Sequence, residues 1–311
     1  MWGGSLLGAA ALAGASWAHL SDSRRARLVR QLAHDAVRKV PAPPKRPEPA
    51  SWDNNAITLA WIGHATVLIN FYGVHILTDP VFGARVGIDL RITTLGPKRY
   101  TAPALPLREL PPIDLLLLSH AHMDHLDLST LRQLAKPGAV ITARRTSEFL
   151  AETPAKGASE LGWGEKARIP TARGDLQVEA FEVKHWGRRW PSDVDRGYNG
   201  YVLRREGRSL IFGGDTAYTK LFARLKQSGP YETAIMPIAA YNPWIRNHCT
   251  PEEAQEMADM AGARTIIPIH HSTYKLSDEP MEEPIQRLVL HLADQKERVG
   301  LHEIGATWHS A

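Results

Sequence analysis

From residue 57 onward the chain is a series of short apolar, β-branched runs separated by glycine-bearing breaks. Residues 57–62, 66–70 and 74–78 each have the length and composition of a buried strand, with Gly63-His64 and Gly73 at the turns between them. Further strands are predicted over residues 113–118, 139–142, 176–183, 233–237, 264–269 and 298–304. Residues 198–204 and 209–212 form a hairpin around Glu206-Gly207. Helical spacing occupies residues 128–135, stopped by Pro137-Gly138, and also 147–152, 218–226 and 283–296. Thr250-Pro251-Glu252-Glu253 is a capping box with proline at the first helical position, and it opens a helix to Ala261. The stretch 83–112 is rich in loops, and 186–196 is a polar aromatic loop.

The first 49 residues follow another pattern. Residues 2–20 contain no Asp, Glu, Lys or Arg, and nineteen residues are just enough to span a bilayer. Arg24, Arg25, Arg27 and Arg30 come next, so the positive-inside rule predicts an N-terminal anchor with the remainder of the chain in the cytoplasm. A cleaved signal and an apolar helix packed on the domain are the alternatives. Over residues 24–40, Leu28, Val29, Leu32, Ala33, Ala36, Val37 and Val40 make one stripe of an amphipathic helix. Such a helix suits either a membrane surface or a docked position on the domain. The proline-rich residues 41–49 are predicted to be a stiff linker, dividing the chain into an N-terminal segment, 1–49, and a catalytic domain, 50–311.

The 311 residues can bury a large core, and a net charge of +4 suits an anionic substrate or surface without requiring one. The single cysteine, Cys249, rules out an internal disulfide and a thiolate metal cage, and is expected to pack as a small apolar residue. Nucleic acid is not an expected partner, because the basic residues are not interleaved with aromatic ones.

The chemistry starts where the strand at 113–118 runs into Ser119-His120-Ala121-His122-Met123-Asp124-His125. Three imidazoles and a carboxylate within six residues suit zinc, iron or manganese. Ligand-type side chains recur at strand ends as His185, Asp215 and His270, the last preferred over His271 because it comes first past its strand. Seven N/O donors without sulfur suit two divalent ions, zinc before iron or manganese. One ion is assigned His120, His122 and His185, and the other Asp124, His125 and His270. Asp215 bridges them, as a carboxylate can. Two ions ~3.5–4 Å apart share a water and bring its pKa to about 7.

H-x-H-x-D-H, a later histidine, Gly213-Gly214-Asp215-Thr216 and a final histidine, in this order, resemble the metallo-β-lactamase superfamily over roughly residues 55–305. Further motifs narrow the resemblance to the branch containing N-acyl-phosphatidylethanolamine-hydrolysing phospholipase D. They are the segment 61–66 around Gly63-His64, Asp79-Pro80, Gly96-Pro97-Lys98-Arg99, His185-Trp186-Gly187, Asn199-Gly200-Tyr201, and His248 ahead of Thr250-Pro251-Glu252-Glu253-Ala254. The resemblance implies an α/β fold of the αββα sandwich type with a dinuclear site at one edge. It also places His248 beside the site, to position a phosphodiester or protonate a leaving group. His271-Ser272 after the last ligand and Cys249-Thr250 after His248 depart from the branch pattern; they leave the ligands intact and alter the pocket.

The expectation is a dinuclear metallohydrolase that cleaves a phosphodiester, in the manner of a phospholipase D acting on N-acylphosphatidylethanolamine or a related phospholipid. A metal-bridging hydroxide would attack, with Asp124 and His248 as the catalytic side chains. His64 and Asp79 are candidates for steadying ligands by hydrogen bonds. Lys98, Arg99, Arg188 and Arg189 are candidates for meeting a phosphate. A lactonase or other carboxyl ester or amide hydrolase uses the same site chemistry, and a non-catalytic metal-binding protein is the third possibility.

Overall fold

The structure, a computed structural model, describes Asp35 and residues 37–310. The anchor expected over residues 2–20 lies outside these residues, as does most of the amphipathic helix. Of that helix, Asp35 and Val37 are helical and residues 38–40 are not. Val37, assigned to the apolar stripe, is 84% exposed, while Asp35 is buried. The Asp35 carboxylate accepts the Lys98 amide (2.9 Å) and pairs with Arg38 (3.0 Å), which outweighs the apolar pattern locally. Among the described residues no helix is long and apolar enough to cross a membrane.

Among the described residues there are fifteen strands, thirteen of them in two main sheets. The first seven in the chain are β1 (Ile57–Gly63), β2 (Thr66–Phe71), β3 (Val74–Thr78), β4 (Ile88–Asp89), β5 (Thr94–Leu95), β6 (Leu115–Leu117) and β7 (Ala139–Ala143). Then come β8 (Ser159–Leu161), β9 (Lys166–Thr171), β10 (Gly174–Phe181), β11 (Gly200–Arg205) and β12 (Arg208–Phe212). The series ends with β13 (Tyr231–Pro237), β14 (Ala263–Ile269) and β15 (Thr307–His309). One sheet runs β15-β1-β2-β3-β6-β7-β8 and the other β14-β13-β12-β11-β10-β9, while β4 and β5 pair as a small separate hairpin. The predicted Glu206-Gly207 turn is present, with both residues at positive φ as a two-residue hairpin turn needs.

Side-chain alternation along the second sheet builds two cores. Leu203, Leu210, Ile235 and Ile267 face the first sheet and join Leu59, Leu68, Ile76 and Leu116 in the inter-sheet core. Their neighbours Val202, Ile211, Ala234 and Ile266 point the other way, against Met257 and Leu288. These belong to helices α2 (Pro251–Ala261) and α3 (Glu283–His291); α1 (Leu128–Gln133) is the short helix after the histidine cluster. The α2 capping box forms as predicted, and Gly262 ends the helix in the left-handed conformation. The result is the αββα sandwich.

Several predicted elements differ. Residues 298–304 are not a strand; Val299, Leu301 and Ile304 are buried, but pairing is limited to one bridge, Ile266 to Val299. The strand that extends the first sheet is β15 instead, against β1. The helix predicted over 283–296 stops at His291, and 218–226 is a 3-10 helix, Lys220–Ser228, started by the Thr219 side chain. Strand β9 carries no apolar run in the sequence, since Ile169 is its one buried side chain. The proline-rich stretch lies against the domain: Lys45 donates its amide to Ile304 O (3.2 Å), and Ala102 donates to Pro41 O (2.9 Å).

The topology fixes where the chemistry sits. Strand β3 is parallel to β6, and β1 runs with them because it is antiparallel to β2, itself antiparallel to β3. In the other sheet β12, β13 and β14 are parallel, and β10 runs with them through antiparallel β11. The C-terminal ends of these strands therefore open on one edge. Here the sheets are tied together by Asn199 N donating to Ser119 O (3.0 Å) and the Tyr201 hydroxyl donating to Leu118 O (3.0 Å). Gly214, just before Asp215, threads this junction at φ 58°; a Cβ there would lie 2.7 Å from Asn199 O and 2.9 Å from Ser119 Cβ. Gly214→Ala is accordingly expected to lower stability by about 1–3 kcal/mol, measured by denaturant unfolding. An unchanged midpoint would contradict the close approach.

Candidate metal centre

His64 follows β1, Asp79 follows β3, the 120–125 cluster follows β6, and His185, Asp215 and His270 follow β10, β12 and β14. His64 (φ 54°), Asp79 (φ 31°) and His270 (φ 69°) turn away from their strands in left-handed backbone, which side chains rarely adopt. Such conformations persist where surrounding contacts impose them, and they concentrate at functional sites.

The structure brings all seven proposed ligands together. His122 Nδ1 lies 2.8 Å from His120 Nε2 and 3.2 Å from His185 Nε2, so three imidazole nitrogens face one point. His270 Nε2 is 3.3 Å from Asp124 Oδ2, and His125 Nε2 is 3.6 Å from the same oxygen. Asp215 Oδ2 reaches both groups, at 3.1 Å from His125 Nε2, 3.3 Å from His270 Nε2 and 3.8 Å from His185 Nε2. That is the position a bridging carboxylate needs. His271 turns elsewhere, its Nδ1 2.8 Å from Ser272 Oγ and its ring 4.4 Å from that of Trp61.

Both candidate supporting residues reach the ligands. Asp79 Oδ2 accepts from His125 Nδ1 (2.7 Å) and from Ser119 Oγ (2.5 Å), and Oδ1 accepts from Ser119 N (2.7 Å). Ser119 Oγ, in turn, lies 2.9 Å from His120 Nδ1. One buried carboxylate thus sets the orientation of His125 directly and of His120 through a serine, leaving both Nε2 atoms aimed inward. The role of Ser119 went unread in the sequence, although it stands next to the cluster. His64 Nε2 is 3.0 Å from Asp124 Oδ2, and its ring lies 4.1 Å from that of His270, tilted against it. His185 is held by its Nδ1 donating to Asn247 O (2.8 Å).

Electrostatics divides the centre in two. Burial drives His120 and His185 well below the ordinary imidazole value and His122 to about 4, so these rings are neutral donors at physiological pH. Burial opposes charge on Asp124 and Asp215, yet the facing His125 and His270 hold both well below the usual carboxylate range. Burial likewise opposes a charged His125, but Asp215 and Asp124 hold it well above its ordinary value, and His270 rises to about 9.

The donor set fits metal. Buried nitrogens and oxygens are normally hydrogen-bonded. Here His125 Nε2, His270 Nε2 and Asp215 Oδ1 have no hydrogen-bond partner, leaving unsatisfied polar atoms on three of the converging ligands. The His/Asp clusters are able to bind metal ions, and the N/O donor chemistry suits zinc, iron or manganese alike.

His122, Asp124, Asp215 and His270 floor a cavity of ≈ 610 Å³ walled by Trp186, Trp190, Trp244 and Leu276. His248 lines it, with Nδ1 3.8 Å from Asp215 Oδ2, and burial lowers its pKa to about 4. Of the basic candidates, Arg188 and Arg189 line the cavity. Arg188 is exposed and pairs with Asp195 (2.7 Å); Arg189 is buried and donates to Ala121 O (2.6 Å) and Leu126 O (2.9 Å), the two flanks of the ligand loop. Lys98 and Arg99 are not brought to the cavity. The Lys98 ammonium donates to Arg38 O, and Arg99 lies buried under Gly63 and against the Tyr274 ring. The aromatic walls carried no sequence signal beyond an aromatic loop. Cys249 is fully buried and its thiol donates to Pro237 O (3.3 Å), as a packing role requires.

Residues 75–271 match the Beta-lactamase superfamily domain. An uncharacterized protein of Mycobacterium tuberculosis is 29% identical over 274 residues, 82% of this chain and 70% of that protein. N-acyl-phosphatidylethanolamine-hydrolyzing phospholipase D 1 of Caenorhabditis elegans is 31% identical over 243 residues, 73% of this chain and 67% of that one. A solved metallo hydrolase from Ignicoccus hospitalis superposes with a TM-score of 0.59 at 16% identity, covering 82% of this chain and 99% of its own, which extends the likeness of fold.

Replacing Asp79 by asparagine keeps its shape but removes the charge that orients His125 and Ser119. Asp79→Asn is expected to weaken metal binding by about 10–100-fold, measured by competition with a chromophoric chelator. Unchanged affinity would remove Asp79 from the account.

Proposed function

The chain belongs to the beta-lactamase superfamily and is a metal-dependent hydrolase of the metallo-β-lactamase fold, and from that premise we propose that it hydrolyses a phosphodiester in a phospholipid. The favoured substrate is N-acylphosphatidylethanolamine or a close relative, cut on the headgroup side to give phosphatidic acid and an alcohol. The observation that carries this reading is the position of Asp215 Oδ2 between the two histidine groups, beneath a cavity with room for a headgroup and walls of tryptophan. The C. elegans relative, named for this activity, supports it.

His120, His122 and His185 would hold one ion, Asp124, His125 and His270 the other, and Asp215 both. Bound there, the ions supply Lewis acidity and the means to activate water near neutral pH. The chain's own groups supply position and proton control. Asp79 and His64 fix the ligands, and Arg189 fixes the loop that carries them. His248 presents a neutral imidazole to the cavity beside Asp215. From there its N–H would orient a phosphoryl oxygen by hydrogen bonding as charge develops, and the departing alkoxide would take its proton from water. Trp186, packed on the His122 ring at 4.5 Å, keeps bulk water from that side.

Metal-loaded protein incubated with N-acylphosphatidylethanolamine is expected to release phosphatidic acid and N-acylethanolamine, identified by mass spectrometry. His248→Gln is expected to lower kcat by about 10²–10⁴ at unchanged metal content. Turnover of lactones with no lipid product would move the assignment to the carboxyl-ester hydrolases that share this site chemistry.

A further inference from the structure

Two loops form the mouth of the cavity, residues 186–196 and 240–248. Both are pinned at the base. In the first, Arg189 grips the ligand loop, and the Asp193 carboxylate accepts from Arg196 Nε (2.6 Å) and Arg189 N (3.0 Å). In the second, the Glu279 carboxylate accepts from Ala240 N (2.6 Å) and Asn242 N (3.2 Å), while Asn247 O holds His185. Loops fixed this firmly have their side-chain directions decided, yet they keep large apolar groups in water. Trp190 is 39% exposed, Val194 45%, Trp244 41% and Ile245 45%.

We propose that this rim, Trp190 and Val194 on one loop with Trp244 and Ile245 on the other, docks the protein onto the surface of a phospholipid bilayer. The inference rests on the phospholipid reading and deepens it. Indole rings, apolar with one polar N–H, favour the boundary between hydrocarbon and headgroups, and aliphatic neighbours extend the burial. The exposed Arg246 beside them suits headgroup phosphates, while Arg188 is paired with Asp195. Continuity decides the occupant: Trp190 and Trp244 line the cavity that has His122, Asp124, Asp215 and His270 at its floor, and Val194 and Ile245 are exposed on the same two loops. A phosphodiester lying in the headgroup layer can reach that floor only if the mouth faces the layer.

The rim can be read directly in the full chain. Cys249 is the single cysteine and is fully buried, so an environment-sensitive fluorophore attached at Ile245→Cys reports one place. With phosphatidylcholine vesicles the label is expected to brighten, shift to the blue and be quenched by lipids carrying spin labels in the acyl chains. Val194→Ser with Ile245→Ser should weaken vesicle partition by about tenfold and lower turnover of vesicle-borne lipid in step, with hydrolysis of soluble bis(4-nitrophenyl) phosphate unchanged. A label that stays in water while the protein sediments with vesicles overturns the proposal and assigns the rim to a protein partner, as does unchanged partition in the double variant. Membrane entry of the label without any lipid hydrolysis would instead keep the docking surface and refute the phospholipid substrate.

Discussion

A carboxylate buried as completely as that of Asp79 must find all its hydrogen-bond donors within the protein. It finds them in His125 Nδ1, Ser119 Oγ and Ser119 N, and this choice organises the site. Because Ser119 passes the orientation on to His120, the two halves of the centre share one reference point. The sandwich places that point where the C-terminal ends of β1, β3 and β6 meet those of β10, β12 and β14. A ligand loop attached to strand ends in a packed core moves little, which is what ligands need for a fixed geometry.

The electrostatic asymmetry follows from the same arrangement. Three neutral imidazoles make one half, while two carboxylates and two basic imidazoles make the other. Charge buried this deeply is held only when compensated. The imidazoliums of His125 and His270 compensate Asp124 and Asp215, and cations bound there would take over that role by displacing their protons; the loops above the site are braced because their own buried charges, Arg189 among them, are tied to backbone carbonyls.

Much of this was legible in the sequence because strand ends are marked twice, by the end of an apolar run and by a polar residue that breaks it. His120, His185, Asp215 and His270 all carry that mark, and so does Asp79. The sandwich class followed from the motif order. Boundaries were less legible. Residues 298–304 alternate like a strand, but they bury Val299, Leu301 and Ile304 through loop packing and leave the sheet edge to β15. Basic residues were the least informative, since position in the chain does not say which way a long side chain turns. Lys98 and Arg99 turn into the protein around residues 38 and 63, whereas Arg189 turns under the ligand loop. The aromatic mouth was invisible for a related reason: it is assembled from loops more than forty residues apart.

We propose that seven side chains at one sheet edge form a dinuclear centre bridged by Asp215. Anomalous diffraction from crystals of the metal-loaded protein tests it most directly. Two peaks are expected, ~3.5–4 Å apart, one among His120, His122 and His185 and the other among Asp124, His125 and His270, with Asp215 touching both. A single peak at full metal loading, or a second one away from Asp215, would contradict it.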